Sequence, residues 1–234
     1  MKATSGAARE VAIALVPAAG LGTRFHDAGT KALVLLAGKP LLVRVLERLQ
    51  ASGRVSEAVV AVPSGSEGSF HAALASAPLP YRLTSGGVER RDSVAAALEA
   101  SGAADDALVL VHDAARPLVD PVEVAAVVDA AAAHGAAIAG HAMVDTVKRI
   151  KGGKVLETVP RLDLVSVTTP QVFRAGLLRK AHAKSAGVVV TDDAELVERA
   201  GGSVAVVLTS RWNLKITYPE DLTWAEAWLA RCGG

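Results

Sequence analysis

The sequence predicts an α/β fold: a mostly parallel sheet with helices on both faces. Three observations point there. Short runs are apolar along their whole length, segments with a helical period separate them, and glycine-rich or polar loops follow them. A strand covered on both faces needs apolar side chains at every position, whereas a strand with one wet face alternates.

Residues 11–16 form the first such run, and it leads into a glycine loop. In residues 41–51, Leu42, Val45, Leu46 and Leu49 recur at helical spacing. Residues 58–62 make a second strand, stopped by Pro63, and residues 81–83 a weaker third. Residues 91–100 read as a helix. Residues 107–111 are the most apolar strand, followed at once by His112 and Asp113. Residues 121–133 form a helix with proline in its first turn, where a missing N–H costs nothing. Residues 136–142 and 204–208 are further strands. Thr217 and Glu220 have capping-box spacing, which predicts a closing helix over 219–230.

Residues 144–159 break the alternation. They are polar and basic, with Gly152-Gly153 between two β-prone runs, the pattern of a hairpin. An isolated two-stranded ribbon is marginal in water, so this one is expected to pack on something, and a second copy of the chain is the candidate. The expected organisation is one domain over 1–234 with an arm inserted at about 142–163.

Composition narrows the function. The chain has 234 residues, 51% of them hydrophobic, enough for one full core. Its formal net charge is +1, which argues against a nucleic-acid binder relying on general basicity. The single cysteine, Cys232, forms no internal disulfide, which fits a reducing compartment. The first ten residues lack the apolar core of a signal peptide. The apolar run 11–19 contains Pro17 and falls well short of the roughly 20 residues that span a bilayer. The expectation is a cytoplasmic protein with no nucleic-acid or membrane partner.

In an open α/β sheet, ligands bind beyond the carboxyl ends of the strands, so the residues after each strand carry the function. The first group is Pro17-Ala-Ala-Gly-Leu-Gly-Thr-Arg24. Gly20 and Gly22 allow close backbone approach and aim N–H groups at an anion. A dinucleotide fingerprint requires a third glycine where Phe25 stands, and Gly38-Lys39 is followed by Pro40, so no Walker-type phosphate loop is present. Arg24 with Lys31 suits a nucleotide triphosphate; the alternative is a glycine-rich turn with solvated charges.

The second group is His112-Asp-Ala-Ala-Arg-Pro117. Asp113 reads as a carboxylate for Mg²⁺ on nucleotide phosphates or as a loop cap, Arg116 as a second anion contact, and His112 as a structural or orienting residue. The third is Gly86-Gly-Val-Glu-Arg-Arg-Asp-Ser93, which reads equally as an ordinary turn with a helix cap and as a nucleoside contact. The fourth is Asn213-Leu-Lys-Ile-Thr217, where Lys215 is a lone cation in an apolar stretch and reads equally as a snorkelling lysine.

Together these segments resemble the methylerythritol phosphate cytidylyltransferase family, over nearly the whole chain. The carrying residues are Ala18 to Arg24 with Lys31; Gly86-Gly87 with Arg90, Asp92 and Ser93; and Val111-His-Asp-Ala-Ala-Arg-Pro117. They continue through Asp145-Thr-Val-Lys148, Thr169-Pro-Gln171, Thr191-Asp-Asp-Ala194 and Asn213-Leu-Lys-Ile-Thr217. The resemblance implies a nucleotidyltransferase-type, Rossmann-like α/β domain working as a homodimer, with the hairpin arm reaching the partner's active site. It implies that Ala18, Ala19, Gly20, Gly87 and Ser93 recognise the cytidine of CTP, that Arg24 and Lys31 bind the triphosphate and stabilise the transition state, and that Asp113 bears on Mg²⁺. It implies that Arg116, Thr146, Arg161 and Lys215 hold methylerythritol phosphate, Thr146 and Arg161 from the partner's arm, with Arg161 and Lys215 also counted as catalytic. The chain departs from the family pattern at Thr30, Val88 and Trp212. The rival readings are a ribitol phosphate cytidylyltransferase, an NAD-dependent dehydrogenase, and a non-catalytic nucleotide-binding regulator.

Overall fold

The computed structural model describes residues 9–20, 30–185 and 190–232. In chain order the first half runs β1 (Ala12–Pro17), a 3₁₀ turn (Lys31–Leu33), β2 (Leu35–Leu36), β3 (Lys39–Pro40), α1 (Leu41–Ala51), β4 (Val55–Val62), α2 (Glu67–Ala73), β5 (Tyr81–Ser85), α3 (Arg90–Ser101) and β6 (Leu108–Val111). The second half runs α4 (Pro121–His134), β7 (Ala136–Ala142), β8 (Val147–Lys151), β9 (Lys154–Val159), β10 (Val165–Arg174), α5 (Ala175–Lys184), α6 (Asp193–Arg199), β11 (Ala205–Leu208) and α7 (Glu220–Cys232).

Seven strands form one sheet in the order β11-β7-β10-β6-β1-β4-β5. Every neighbouring pair is parallel except the two made by β10, which runs antiparallel between β6 and β7. Strand side chains alternate between faces, and two cores result. Ala12, Ala14 and Val16 of β1 join Val60 of β4 and Leu110 of β6 beneath α1, α2 and α4. Leu15, Val59, Val109 and Val111 point the other way, beneath α3, α5 and α6. The whole-length apolarity of these strands is the imprint of that double cover.

Helix boundaries follow local chemistry. α4 starts where the Asp120 carboxylate accepts the Val122 N–H at 2.8 Å, with Pro121 in the first turn, and stops at Gly135 in the left-handed region at φ 86°. α7 starts differently from the expectation. The reciprocal box between Thr217 and Glu220 is replaced by Asp221, whose Oδ2 accepts the Thr217 and Tyr218 N–H groups at 2.6 and 2.8 Å. One carboxylate that accepts two consecutive N–H groups ties the chain entering α7 to its first turn, which a single hydroxyl does less fully. β10, α5 and α6 are elements that apolar periodicity did not single out. β8 and β9 pair with each other around Gly152 and Gly153, both at positive φ, in a sheet separate from the seven-stranded one. Among the described residues, no helix is long and apolar enough to cross a membrane.

Candidate active site

The chain goes from β1 outward through β4 to β5, then returns to the other side of β1 with β6. The strand order therefore reverses at β1/β6, and such a switch point opens a crevice beyond the carboxyl ends. A cavity of about 200 Å³ lies there. Ala18, Ala19 and Gly20 line it from the end of β1, Gly87 and Val88 from the turn before α3, Arg90 and Ser93 from the first turns of α3, Asp113 from the end of β6, Lys31 from the 3₁₀ turn, and Lys215 from the segment before α7.

The glycine turn is built by packing. A Cβ on Gly86 would lie 2.4 Å from the Ala19 Cβ, and one on Gly87 only 2.2 Å from the Asp92 Cβ. Ser93 is buried, and its Oγ accepts the Gly87 N–H at 3.2 Å while lying 3.3 Å from the Glu89 carbonyl. The hydroxyl thus fixes the turn that approaches Ala19.

Asp113 is buried at the centre of the charged wall. Its Oδ1 accepts from Arg90 Nε at 2.9 Å, and its Oδ2 lies 2.9 Å from Lys215 Nζ and 3.5 Å from Arg116 Nε. Burial pushes its carboxyl up, but Arg90, then Lys215 and Arg116, hold it well below the usual carboxylate range. Arg90 also reaches the buried Asp193 through Nη1 at 2.6 Å. Burial opposes the Arg90 charge, and Asp193 and Asp113 outweigh it, so the guanidinium stays protonated. Arg116 donates through Nη1 to the Asn213 carbonyl at 2.7 Å. Thr169 braces both loops: its Oγ1 accepts the Asp113 N–H at 3.1 Å, and its carbonyl accepts Asn213 Nδ2 at 2.6 Å.

His112 is fully buried, and its Nε2 donates to the Arg116 carbonyl at 3.1 Å. Burial pushes its pKa down to about 4, against that backbone hydrogen bond, so the ring is neutral near pH 7. It shapes the loop after β6, as the sequence reading expected.

The expectation that Asp113 bears on Mg²⁺ meets a carboxylate whose two oxygens are already shared among three cations. Among the described residues, no group of three or more His, Cys, Asp or Glu is placed to hold a metal ion. This donor set does not suit a resident divalent cation, because Arg90, Arg116 and Lys215 would repel it.

Lys31, Ala18, Ala19, Gly20, Gly87, Ser93, Asp113 and Lys215 therefore converge, and Arg116 stands directly behind Asp113. Thr146 and Arg161 do not line the cavity of their own chain. Both are exposed on the β8–β9 arm, where Arg161 donates to the Val144 carbonyl. Arg24 lies outside the described residues. Arg90 and Asp193, 103 positions apart, join the site although no motif in the sequence assigns either a role. Their only signal was membership of the segments around Ser93 and Ala194.

A glycine turn and fixed cations around the switch point of a mostly parallel sheet define a nucleotide-handling enzyme of the nucleotidyltransferase class. The profile of the 2-C-methyl-D-erythritol 4-phosphate cytidylyltransferase family matches residues 12–231. The enzyme of that name from Rhodopirellula baltica is 41% identical over 230 residues, covering 93% of this chain and 94% of the relative. The one from Bordetella pertussis is also 41% identical, covering 94% and 99%. The crystal structure of the Thermus thermophilus enzyme superposes with a TM-score of 0.77 at 38% identity, over 95% of this chain and 99% of that one. The chain belongs to the 2-C-methyl-D-erythritol 4-phosphate cytidylyltransferase family.

Proposed function

We propose that the protein transfers CMP from CTP to 2-C-methyl-D-erythritol 4-phosphate, releasing pyrophosphate, a step of non-mevalonate isoprenoid biosynthesis. The observation that carries this reading is the meeting of Lys31, the Gly86-Gly87 turn and the Lys215–Asp113 pair around one cavity at the switch point, in a chain of this family.

A phosphate oxygen of the acceptor attacks the α-phosphorus of CTP. The new P–O bond forms as the bond from the α-phosphorus to the bridging oxygen breaks, and pyrophosphate leaves with that electron pair. The attacking oxygen is already anionic, so no general base is required, which agrees with a buried, neutral His112. The protein's task is to bring two anions together and to neutralise charge growing on the α-phosphoryl oxygens. Arg24 and Lys31 hold the triphosphate, and Lys215 meets the acceptor phosphate and the reacting centre. Ala18, Ala19, Gly20, Gly87 and Ser93 line the cytidine end.

Asp113 acts as a positioning residue: it fixes Lys215, Arg90 and Arg116 by charge. Arg116 holds the acceptor, together with Thr146 and Arg161 from the arm of a second copy. The exposure of both arm residues and the arm's separation from the main sheet support a homodimer.

The test is pyrophosphate release from CTP and Mg²⁺ with methylerythritol phosphate and ribitol 5-phosphate offered separately. Release with methylerythritol phosphate alone is expected. Release with ribitol phosphate alone would keep the CTP half and overturn the acceptor assignment.

A further inference from the structure

A second cavity, of about 500 Å³, lies away from the nucleotide crevice, along α7. Its walls are Trp212, Trp224 and Trp228, and these are the only tryptophans of the chain. Trp212 and Trp228 stack with ring centroids 4.5 Å apart, while Trp224 is 74% exposed. A concave, aromatic-walled space of this size is the form of a small-molecule site. Exposed tryptophan faces of this extent signal an unfilled contact.

Charge narrows the occupant. Arg211 and Arg231 are exposed members of the lining, and neither makes an ion pair among the described residues; Arg211 lies over the Trp212 ring at 5.1 Å. The acidic group of the lining, Asp221, is turned to the start of α7, where it accepts the Thr217 and Tyr218 N–H groups. The groove therefore offers an apolar interior and a positive rim. The hairpin arm of a second copy matches this rim poorly in charge, because over 142–163 it carries Lys148, Arg149, Lys151, Lys154 and Arg161 against Asp145, Glu157 and Asp163. A small apolar anion fits both properties.

We propose that this groove is a second ligand site, for a small molecule with an apolar body and an anionic phosphate-type group, and that its occupancy is felt at Lys215. The link is the segment from Trp212 to Lys215. Trp212 and Leu214 line the groove, whereas the intervening Asn213 is buried against Thr169 and Arg116, and Lys215 lines the nucleotide cavity. An occupant that displaces Trp212 or Leu214 displaces the backbone that presents Lys215. The effect on turnover rests on the cytidylyltransferase reading; the binding does not.

Because every tryptophan lines the groove, intrinsic fluorescence reports on it directly. Titration with octyl phosphate is expected to give a saturable emission shift. The shift should be about fivefold or more weaker with 1-octanol and absent with inorganic phosphate. The double variant Arg211→Glu/Arg231→Glu should weaken octyl phosphate binding by a similar factor while leaving CTP turnover without the probe unchanged. Equal binding of octanol and octyl phosphate, or a double variant that binds as well as the parent, would overturn the anion site. An emission shift that tracks protein concentration instead would assign the groove to a second copy. Turnover should change over the same octyl phosphate range as the emission; saturation of the emission with turnover unmoved would overturn the coupling. Loss of turnover in the unliganded parent enzyme is the separate failure of the functional reading.

Discussion

The Lys215 ammonium lies 2.9 Å from the Asp113 carboxylate, at the edge of the cavity that the glycine turn closes on its other side. The lysine side chain is 44% exposed and the aspartate 10%, so one partner faces the ligand and the other is part of the frame. The two should therefore fail in different ways. Lys215→Ala is expected to lower turnover by on the order of 10²–10³, as for loss of one preorganised donor, with little change in the thermal midpoint. Asp113→Asn leaves the half-buried Arg90 without half of its compensation and should destabilise the fold by roughly 2–3 kcal/mol as well as reduce turnover. Denaturant melts and steady-state rates on both variants separate the roles; equal stability losses would refute the division.

His112 links the site to pH through folding. Its folded pKa, about 4, lies below the ordinary value near 6.5 because burial disfavours the charged ring. Between those values the unfolded chain binds the extra proton. The contribution of His112 is thus fully present above pH 6.5 and is lost as pH falls from there toward 4, by about 3 kcal/mol in all. His112→Gln should flatten that part of the stability profile. An unchanged slope between pH 6.5 and 4 in the variant would show that other groups set it.

Gly87 has no room for a side chain, because a Cβ there would sit 2.2 Å from the Asp92 Cβ. Gly87→Ala should shift the start of α3, cost about 1–3 kcal/mol as overpacking does, and raise KM for CTP more than it lowers kcat. An alanine variant with parental stability and KM would mean that the turn yields elsewhere.

The arm can be tested by mixing two inactive proteins. Lys31→Ala, expected to lose at least 10²-fold, disables the cavity, and Arg161→Ala disables the arm. If the arm serves the other copy, re-equilibrated equal mixtures contain heterodimers in which one site has both parts intact, and about a quarter of parental activity should return. Mixtures that stay as inactive as their components would place Arg161 in service of its own chain, or of none.

Much of the frame was legible because burial on both faces leaves a plain mark. The run 136–142 coincides with β7, and the Leu42, Val45, Leu46 and Leu49 period with α1. β10 was not legible in the same way. It reads Val-Ser-Val-Thr-Thr-Pro-Gln-Val-Phe-Arg, with Thr168, Thr169 and Gln171 buried; Thr169 braces the loops of Asp113 and Asn213, and Gln171 reaches Asp192 and the Ala194 N–H. Polar residues that satisfy loops within a core erase the apolar signature of a central strand. The site residues stood out where a glycine or a lone cation interrupted an apolar context, as at Gly20, Gly87 and Lys215. Arg90 and Asp193 did not, because an ion pair between distant segments has no local pattern. Asp113 was visible as a functional carboxylate, but its three cationic neighbours come from three separate places in the chain.

The reversed direction of β10 has a consequence for the arm. β7 ends at the crevice edge with Ala142, and β10 begins at the same edge with Val165, the cross-strand partner of Ala142. Everything between them leaves and re-enters the sheet at a single point on the rim, like a handle fixed by both feet beside the opening of a vessel. Had β10 run parallel to its neighbours, the chain would have needed a crossover to the far edge before entering it. As built, the handle lengthens, shortens or changes its side chains without disturbing a rung of the ladder, so the groups it presents vary independently of the nucleotide crevice.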